Sequence, residues 1–227
     1  MILLIDGDML VYRLGWACNG EEEWKALSSL DNFIADIMIS TLWDEPSVYL
    51  YLSGKTNFRH DVAVTAPYKG NRKSDKPVHF DALRLHMLDK WEAIETVGEE
   101  ADDAIAIAAT AAYPDAVIVS LDKDFLQVPG KCYDFVKKTI TVVTEETGLF
   151  SFYVQMLVGD RVDNIIGVKG VGPVKAKKLL EGKTEAEMYA VCVEQLGSPE
   201  RALENGRLLW LRRYADQLWN APVALGE

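Results

Sequence analysis

Residues 98–125, GEEADDAIAIAATAAYPDAVIVSLDKDF, gather carboxylates at the start of one helix and the end of one strand. Glu100, Asp102 and Asp103 stand where an alanine-rich helix is expected to begin, and Asp122 and Asp124 where the apolar strand AVIVSL ends. Residues three apart on a helix share a face, and residues two apart at a strand end point the same way. The pattern therefore predicts that Glu100 converges with Asp103, and Asp122 with Asp124. Such carboxylates repel one another unless a hard divalent cation lies among them. Oxygen-only ligands without His or Cys suit magnesium or manganese rather than zinc. The bland account is that acids in a first helical turn complement the helix dipole, at about 0.3–1 kcal/mol each. It would cover Asp102 and Asp103 but leaves Asp122 and Asp124 unexplained.

N-terminal to this stretch, the apolar run ILLI ends in Asp6, Gly7 and Asp8. An acid at the tip of a first strand is a common site position, because in open α/β sheets function gathers at the carboxyl ends of strands. Residues 30–43, LDNFIADIMISTLW, carry Leu30, Phe33, Ile34, Ile37, Met38 and Leu42 at helical spacing, and Pro46 stops them. SVYLYLSG reads as a second strand, and a polar, turn-rich segment from Lys55 to Asp75 follows. HFDALRLHMLDKW places Phe80, Leu83, Met87 and Trp91 on one helix face, and a short strand near residues 93–97 leads into the acidic helix. Alternating strands and helices predict a three-layer α/β domain with a mostly parallel sheet over residues 1–150.

Residues 151–227 change character, beginning with SFYVQMLVGDRVDNIIGVKGVGPVKAKKLLEG. Asp160 and Asp163 are three apart and share a face if VQMLVGDRVDN is helical, which would add two ligands to the acidic site. GVKGVGPVKAKKLL is a glycine-rich turn opening a basic helix, where close backbone approach and free helix-terminal amides hold phosphate without reading sequence. RALENGRLLWLRRYADQLW is predicted as an amphipathic helix with Leu208, Leu211, Tyr214, Ala215 and Leu218 on the core.

Composition bounds these readings. With 227 residues and 49% hydrophobic content the chain is long enough for one good core, or for one domain with a smaller appendage. Cys18, Cys132 and Cys192 are odd in number and far apart, which implies neither a disulfide framework nor a zinc site and fits a reducing cytoplasm. No apolar run approaches the ~20 residues of a membrane helix, and MILLIDGDM lacks the basic flank of a signal peptide, so the expectation is a cytoplasmic protein. The net charge of −11 looks wrong for a protein that handles nucleic acid until its location is considered. Subtracting eight acids assigned to one site leaves −3, and the basic residues are grouped: Lys69, Arg72, Lys73 and Lys76 in one run, Lys169, Lys175, Lys177 and Lys178 in another. Such runs are usually solvated faces, but beside an acidic metal site they are what a phosphodiester enzyme needs.

The order of Asp6, FR with YKGNR, EADD, SLDKDF and GDRVDNIIGVKGVG resembles the flap endonuclease and 5′-to-3′ exonuclease family over roughly residues 2–182. NFR, YKGNRKSDKPV and RLLWLRRY give the chain the look of the small stand-alone exonucleases of bacteriophages. The resemblance implies a PIN-like, Rossmann-like domain followed by a DNA-binding helix-three-turn-helix. It also implies two Mg2+ or Mn2+ ions, the first held in part by Asp6, Glu100, Asp102 and Asp103, the second by Asp122, Asp124, Asp160 and Asp163. Lys69 and Arg72 match the basic pair at the scissile phosphate and Tyr68 an aromatic on which the terminal base stacks. Lys169, Gly170, Gly172, Lys175 and Lys177 fall where duplex DNA is contacted. A potassium ion would be held by main-chain oxygens around Val168 and Val171. The implied protein is a monomer that hydrolyses DNA from 5′ ends at duplex ends, nicks or flaps, in the host cytoplasm if phage-encoded, with a role in replication or degradation of phage DNA.

Two departures stand out. Ser53 occupies the place where the family's second strand usually ends in Asp, and the segment from Arg72 to Glu92 is short for a threading arch. Three rivals remain in view. A PIN-type ribonuclease shares the acids but lacks the segment from 151 to 182. A haloacid-dehalogenase-type phosphatase would use Asp6 as nucleophile and Asp8 as acid, yet would need neither Asp160, Asp163 nor the glycine-rich turn. A non-catalytic DNA-structure-binding module would keep the basic turn while losing carboxylates.

Overall fold

The computed structural model describes residues 1–40, 46–72 and 75–222, so Leu42 and Lys73 lie outside the described residues. Six strands form one sheet in the order β3-β2-β1-β4-β5-β6. They are β1 (Ile2–Asp6), β2 (Ser47–Leu52), β3 (Ile94–Glu95), β4 (Val117–Val119), β5 (Gly130–Asp134) and β6 (Thr139–Val143). The first five run parallel and β6 turns back antiparallel on β5, in the hairpin that closes one edge. Ile5 lies between Leu50 and Val119 in register, so the carboxyl ends of β1, β2 and β4 come out side by side.

Period-2 alternation sends side chains to both faces of this sheet. Leu3, Ile5, Leu50, Leu52, Val117 and Val119 pack on one face against α1 (Gly7–Ala17), α2 (Glu23–Ser40) and α4 (Phe80–Lys90). Leu4, Tyr51, Ile118 and Cys132 pack on the other against α5 (Ala101–Ile107), which continues as a π-turn over Ala108–Ala112. The three-layer α/β expectation is met. The α2 helix begins seven residues before the expected start at Leu30. A four-residue helix, α3 (Arg59–Val62), lies within the stretch read as turns.

The helix α6 (Glu145–Val158) runs through the boundary expected at residue 150 and begins a second core with α7 (Pro173–Leu180), α8 (Glu185–Leu196) and α9 (Pro199–Leu209). Thr144 caps α6 by accepting the Thr147 amide, and Phe152, Tyr153, Met156 and Leu157 are buried in that core.

Two expectations are corrected here. VQMLVGDRVDN is not one helix: α6 ends at Gly159 (φ +72), and β7 (Gly159–Asp160) pairs with β8 (Ile165–Ile166) in a tight hairpin. A Cβ on Gly167 would lie 2.1 Å from the Val158 carbonyl oxygen, so the backbones touch where only glycine fits. Nor is RALENGRLLWLRRYADQLW one helix. The carbonyls of Leu208 and Leu209 accept Arg59 Nε and Gln127 Nε2 instead of backbone amides, and the chain leaves α9 extended. Leu208 and Leu211 are buried as expected, whereas Tyr214 and Leu218 are exposed. No helix among the described residues is long and apolar enough to cross a membrane.

Candidate active site

At the carboxyl ends of the parallel strands, Asp6 uses one carboxylate oxygen to cap α1 through the Met9 amide (3.0 Å) and the other to accept Ser120 Oγ (3.2 Å). Burial, with Asp8 and Asp122 adding repulsion, pushes its pKa up to about 7 in spite of the Met9 amide. Asp102, on the first turn of α5, is raised by burial and then by Asp6, Asp122 and Glu100, so it faces the same basin. β4 ends before the acids, and Asp122 caps a 3-10 turn over Lys123–Gln127 by accepting the Asp124 amide at 2.8 Å. The two therefore converge through a turn rather than along a strand. Burial raises both, and Asp124, repelled by Asp122, reaches about 7.

The hairpin supplies the remaining acids from above. Asp160 Oδ1 accepts the amides of Val162 and Asp163 (2.7 and 3.2 Å), and Lys123 reaches its Oδ2 at 3.0 Å. Burial alone would raise Asp160, but Lys123 and the two amides hold it below the usual carboxylate range. Asp163 accepts Arg72 Nη2 at 2.5 Å and Tyr68 Oη at 2.8 Å. Lys69 sits in the left-handed region (φ +54), its amide on the Asp163 carbonyl, and its ammonium pairs with Glu100. A cleft of about 1390 Å³ is lined by Lys69, Arg72, Asp102, Asp122, Asp124, Asp160 and Asp163 and continues along residues 164–173.

Two predicted site residues are placed elsewhere. Asp103 points away from the basin, because it lies about 100° round the helix from Asp102 and its carboxylate enters the fork of Arg59 (2.5 and 2.9 Å) with no exposed surface. Burial alone would raise its pKa, yet the Arg59 charge holds it below the usual value. Tyr68 is only 4% exposed, its ring edge-on to His60 and its hydroxyl between Glu100 and Asp163, so it presents no face to a base. Ser53 is not turned to the basin: its Oγ accepts the Ala101 amide at 2.9 Å and so anchors α5. Asp8 is tied by Arg84 Nη1 and the Ser53 amide, both at 2.8 Å, which leaves it unsuited to act as the acid of a phosphatase.

The carboxylates line a basin rather than a finished cage, since no group of three or more His, Cys, Asp or Glu among the described residues stands ready to hold an ion. The donor set nevertheless fits a hard divalent cation. Asp6, Asp102, Asp122 and Asp124 are all held protonated more easily than free carboxylates by burial and mutual repulsion, which such a charge would relieve. In the second half, Lys169, Lys175 and Lys177 are exposed and make no ion pair among the described residues. Gly170 (φ +77) and Gly172 have open space where a Cβ would stand, leaving room for another backbone. The Val168 carbonyl accepts the Val171 amide at 3.1 Å, closing the turn before α7.

Sequence reading missed Lys123, Arg59, Gln127 and Gln155. Lys123 lies between two named acids and was legible as a counter-charge. Arg59 stands in the quoted NFR motif, but nothing local marks it as the buried partner of Asp103, and the amides of Gln127 and Gln155 are ordinary residues until the fold brings them together.

The chain is similar to known proteins in sequence and in fold. The family model for the 5′-3′ exonuclease N-terminal resolvase-like domain matches residues 1–153. The exodeoxyribonuclease of Enterobacteria phage T3 is 30% identical over 99% of this chain and 80% of its own length. A DNA polymerase I from Bacillus caldotenax is 30% identical over 99% of this chain, which spans only 28% of that polymerase. Among solved structures, the bacteriophage T5 flap endonuclease in a pseudo-enzyme-product complex with DNA and metal ions superposes with a TM-score of 0.65. That match covers 92% of this chain and 88% of the other at 18% identity, a likeness of fold. With its PIN-like sheet and a matched domain covering two thirds of its length, the chain belongs to the 5′-3′ exonuclease family.

Proposed function

We propose that this protein is a divalent-metal-dependent 5′-to-3′ exonuclease and structure-specific flap endonuclease that hydrolyses DNA phosphodiester bonds from 5′ ends. The observation that carries the reading is the convergence of Asp102, Asp122, Asp124, Asp160 and Asp163 on one cleft, with Lys69 and Arg72 at its wall and the buried Asp6 close enough to repel Asp102 and Asp122. Asp6, Glu100 and Asp102 would hold one Mg2+ or Mn2+ ion, Asp124, Asp160 and Asp163 a second, and Asp122 lies between. Bound there, the metals would lower the pKa of a water and neutralise charge on the phosphate.

The chain's own groups do the rest. Lys69 and Arg72, parked on Glu100 and Asp163 in this structure, turn to the scissile phosphate and offset the negative charge that develops there. Lys169, Lys175 and Lys177 with the amides near Gly170 and Gly172 hold the uncleaved duplex by its backbone. A potassium ion on the carbonyls of Val168 and Val171 would stiffen that turn. The enzyme acts as a monomer in the cytoplasm, that of the host if it is phage-encoded. The test is a digest of 5′-labelled blunt, nicked and flapped duplexes in Mg2+ and in EDTA. Metal-dependent release of short 5′ products is expected, and cleavage that persists in EDTA would overturn the reading.

A further inference from the structure

Residues 208–213 lie beyond the matched family domain, yet their backbone is wedged between the two elements that carry the site's acids. On one side, Leu208 O accepts Arg59 Nε at 2.8 Å, Trp210 O accepts Arg59 Nη2 at 3.1 Å, and the Arg212 amide donates to Asp103 Oδ1 at 3.2 Å. On the other, Leu209 O accepts Gln127 Nε2 at 2.9 Å and the Leu211 amide donates to Gln127 Oε1 at 3.0 Å. Leu208 and Leu209 are the last residues of α9 and the chain from Trp210 is extended, and across both the even residues face Arg59 and Asp103 while the odd ones face Gln127. Asp103 also receives the Glu100 amide at 3.2 Å, so the even side grips the first turn of α5 with Glu100 and Asp102. Gln127 closes the 3-10 turn that carries Asp122 and Asp124, so the odd side grips that turn.

From Gln127 a relay runs on to the site. Its Nε2 lies 3.3 Å from Gln155 Oε1, and Gln155 Nε2 donates to Asp124 Oδ1 at 2.5 Å. An amide offers its donors and acceptor on different atoms, so with Gln127 giving to Gln155 the Gln155 donor must face the carboxylate. Only Oδ1 is engaged this way, and no donor among the described residues reaches Oδ2.

We propose that the 208–213 strap, acting through Gln127 and Gln155 as positioning residues, sets the separation of the two acid groups and aims the free oxygen of Asp124 at a divalent cation. This rests on the metal-dependent reading above. Outer partners that orient a ligating carboxylate are worth about 10–100-fold in metal affinity. The test is calorimetric titration of Mn2+ into the DNA-free protein, for the wild type, Gln155→Leu and Gln127→Leu, with circular dichroism and duplex binding in EDTA alongside. Both variants should bind Mn2+ about tenfold more weakly while secondary structure and duplex affinity hold. Should Gln127→Leu fail to fold, Gln155→Leu at its half-buried position on α6 decides alone. Mn2+ affinity within twofold of wild type in Gln155→Leu overturns the inference, as does an equal loss of duplex binding. A wild type that binds no Mn2+ overturns instead the metal-dependent function on which the inference stands.

Discussion

Arg59 and Asp103 are joined by two parallel hydrogen bonds, Nη1 to Oδ2 at 2.5 Å and Nη2 to Oδ1 at 2.9 Å, with neither side chain more than 2% exposed. One position earlier, Asp102 projects into a basin where burial and other acids oppose its charge. Adjacent carboxylates on one helical turn thus have opposite roles. Removing one partner of a buried pair leaves an uncompensated charge and costs about 3–5 kcal/mol. Asp103→Ala should lower urea stability by that amount, whereas Asp102→Asn should raise the stability of the metal-free protein and abolish its response to Mg2+. Equal destabilisation by the two would show that Asp102 is a structural group too.

The raised acids make the metal-free fold sensitive to pH near neutrality. For Asp6 and Asp124 the folded value is about 7 against an ordinary 3.8, so the folded state binds more protons between those limits. Stability therefore falls as pH rises through that window, by linkage. Asp103 and Asp160 are lowered and act in the opposite sense, losing their contribution only as pH drops below the ordinary carboxylate value. In EDTA, the melting temperature should be higher at about pH 5.5 than at about pH 8, and excess Mg2+ should raise it more at the higher pH. A melting temperature in EDTA that climbs between these two conditions would mean that the basin is better solvated than its burial implies.

Much of this was legible in the chain. The run 98–125, with Asp6 at the end of ILLI, marks an α/β sheet with acids at its carboxyl edge, because strand alternation and helix spacing are local properties. What local spacing could not supply is which way a turn faces once long-range partners compete. Asp103 was read as sharing the site with Glu100, but Arg59, 44 positions away, takes it inward. Tyr68 looked like a stacking platform, yet its hydroxyl finds two acids and its ring is buried with them. The 159–166 hairpin broke a helical pattern because Gly159 and Gly167 allow a close backbone crossing, and the C-terminal helix stopped where buried side chains captured its carbonyls.

Lys69 separates chemistry from binding. Its ammonium is within the site's wall and paired with Glu100, a partner it would exchange for phosphate. A cation placed where charge develops acts chiefly on the transition state. Lys69→Ala should slow single-turnover cleavage by about a hundredfold, the scale for losing one preorganised donor, with little change in duplex affinity. Equal losses in rate and affinity would make it a plain phosphate anchor.

The turn from Gly167 to Lys178 is assigned to duplex DNA remote from the reacting phosphate. Lys169 and Lys175 are exposed there without an ion pair among the described residues, beside glycines with open space around them. Each phosphate neutralised by such a lysine releases condensed counterions, giving a slope near −0.9 in log affinity against log salt. Removing both lysines should flatten the slope by about two units and weaken all duplex sequences alike. Replacing K+ by Li+ at constant ionic strength should weaken duplex binding as well, if carbonyls of Val168 and Val171 hold the ion, without altering the rate at saturating substrate. Gly172→Val should weaken binding by filling the space a DNA backbone would enter, with an unchanged melting temperature separating this from loss of fold. A salt slope unaltered in the double lysine variant would reduce this turn to a connection between α6 and α7, and the duplex path would then run along Lys69 to Lys76.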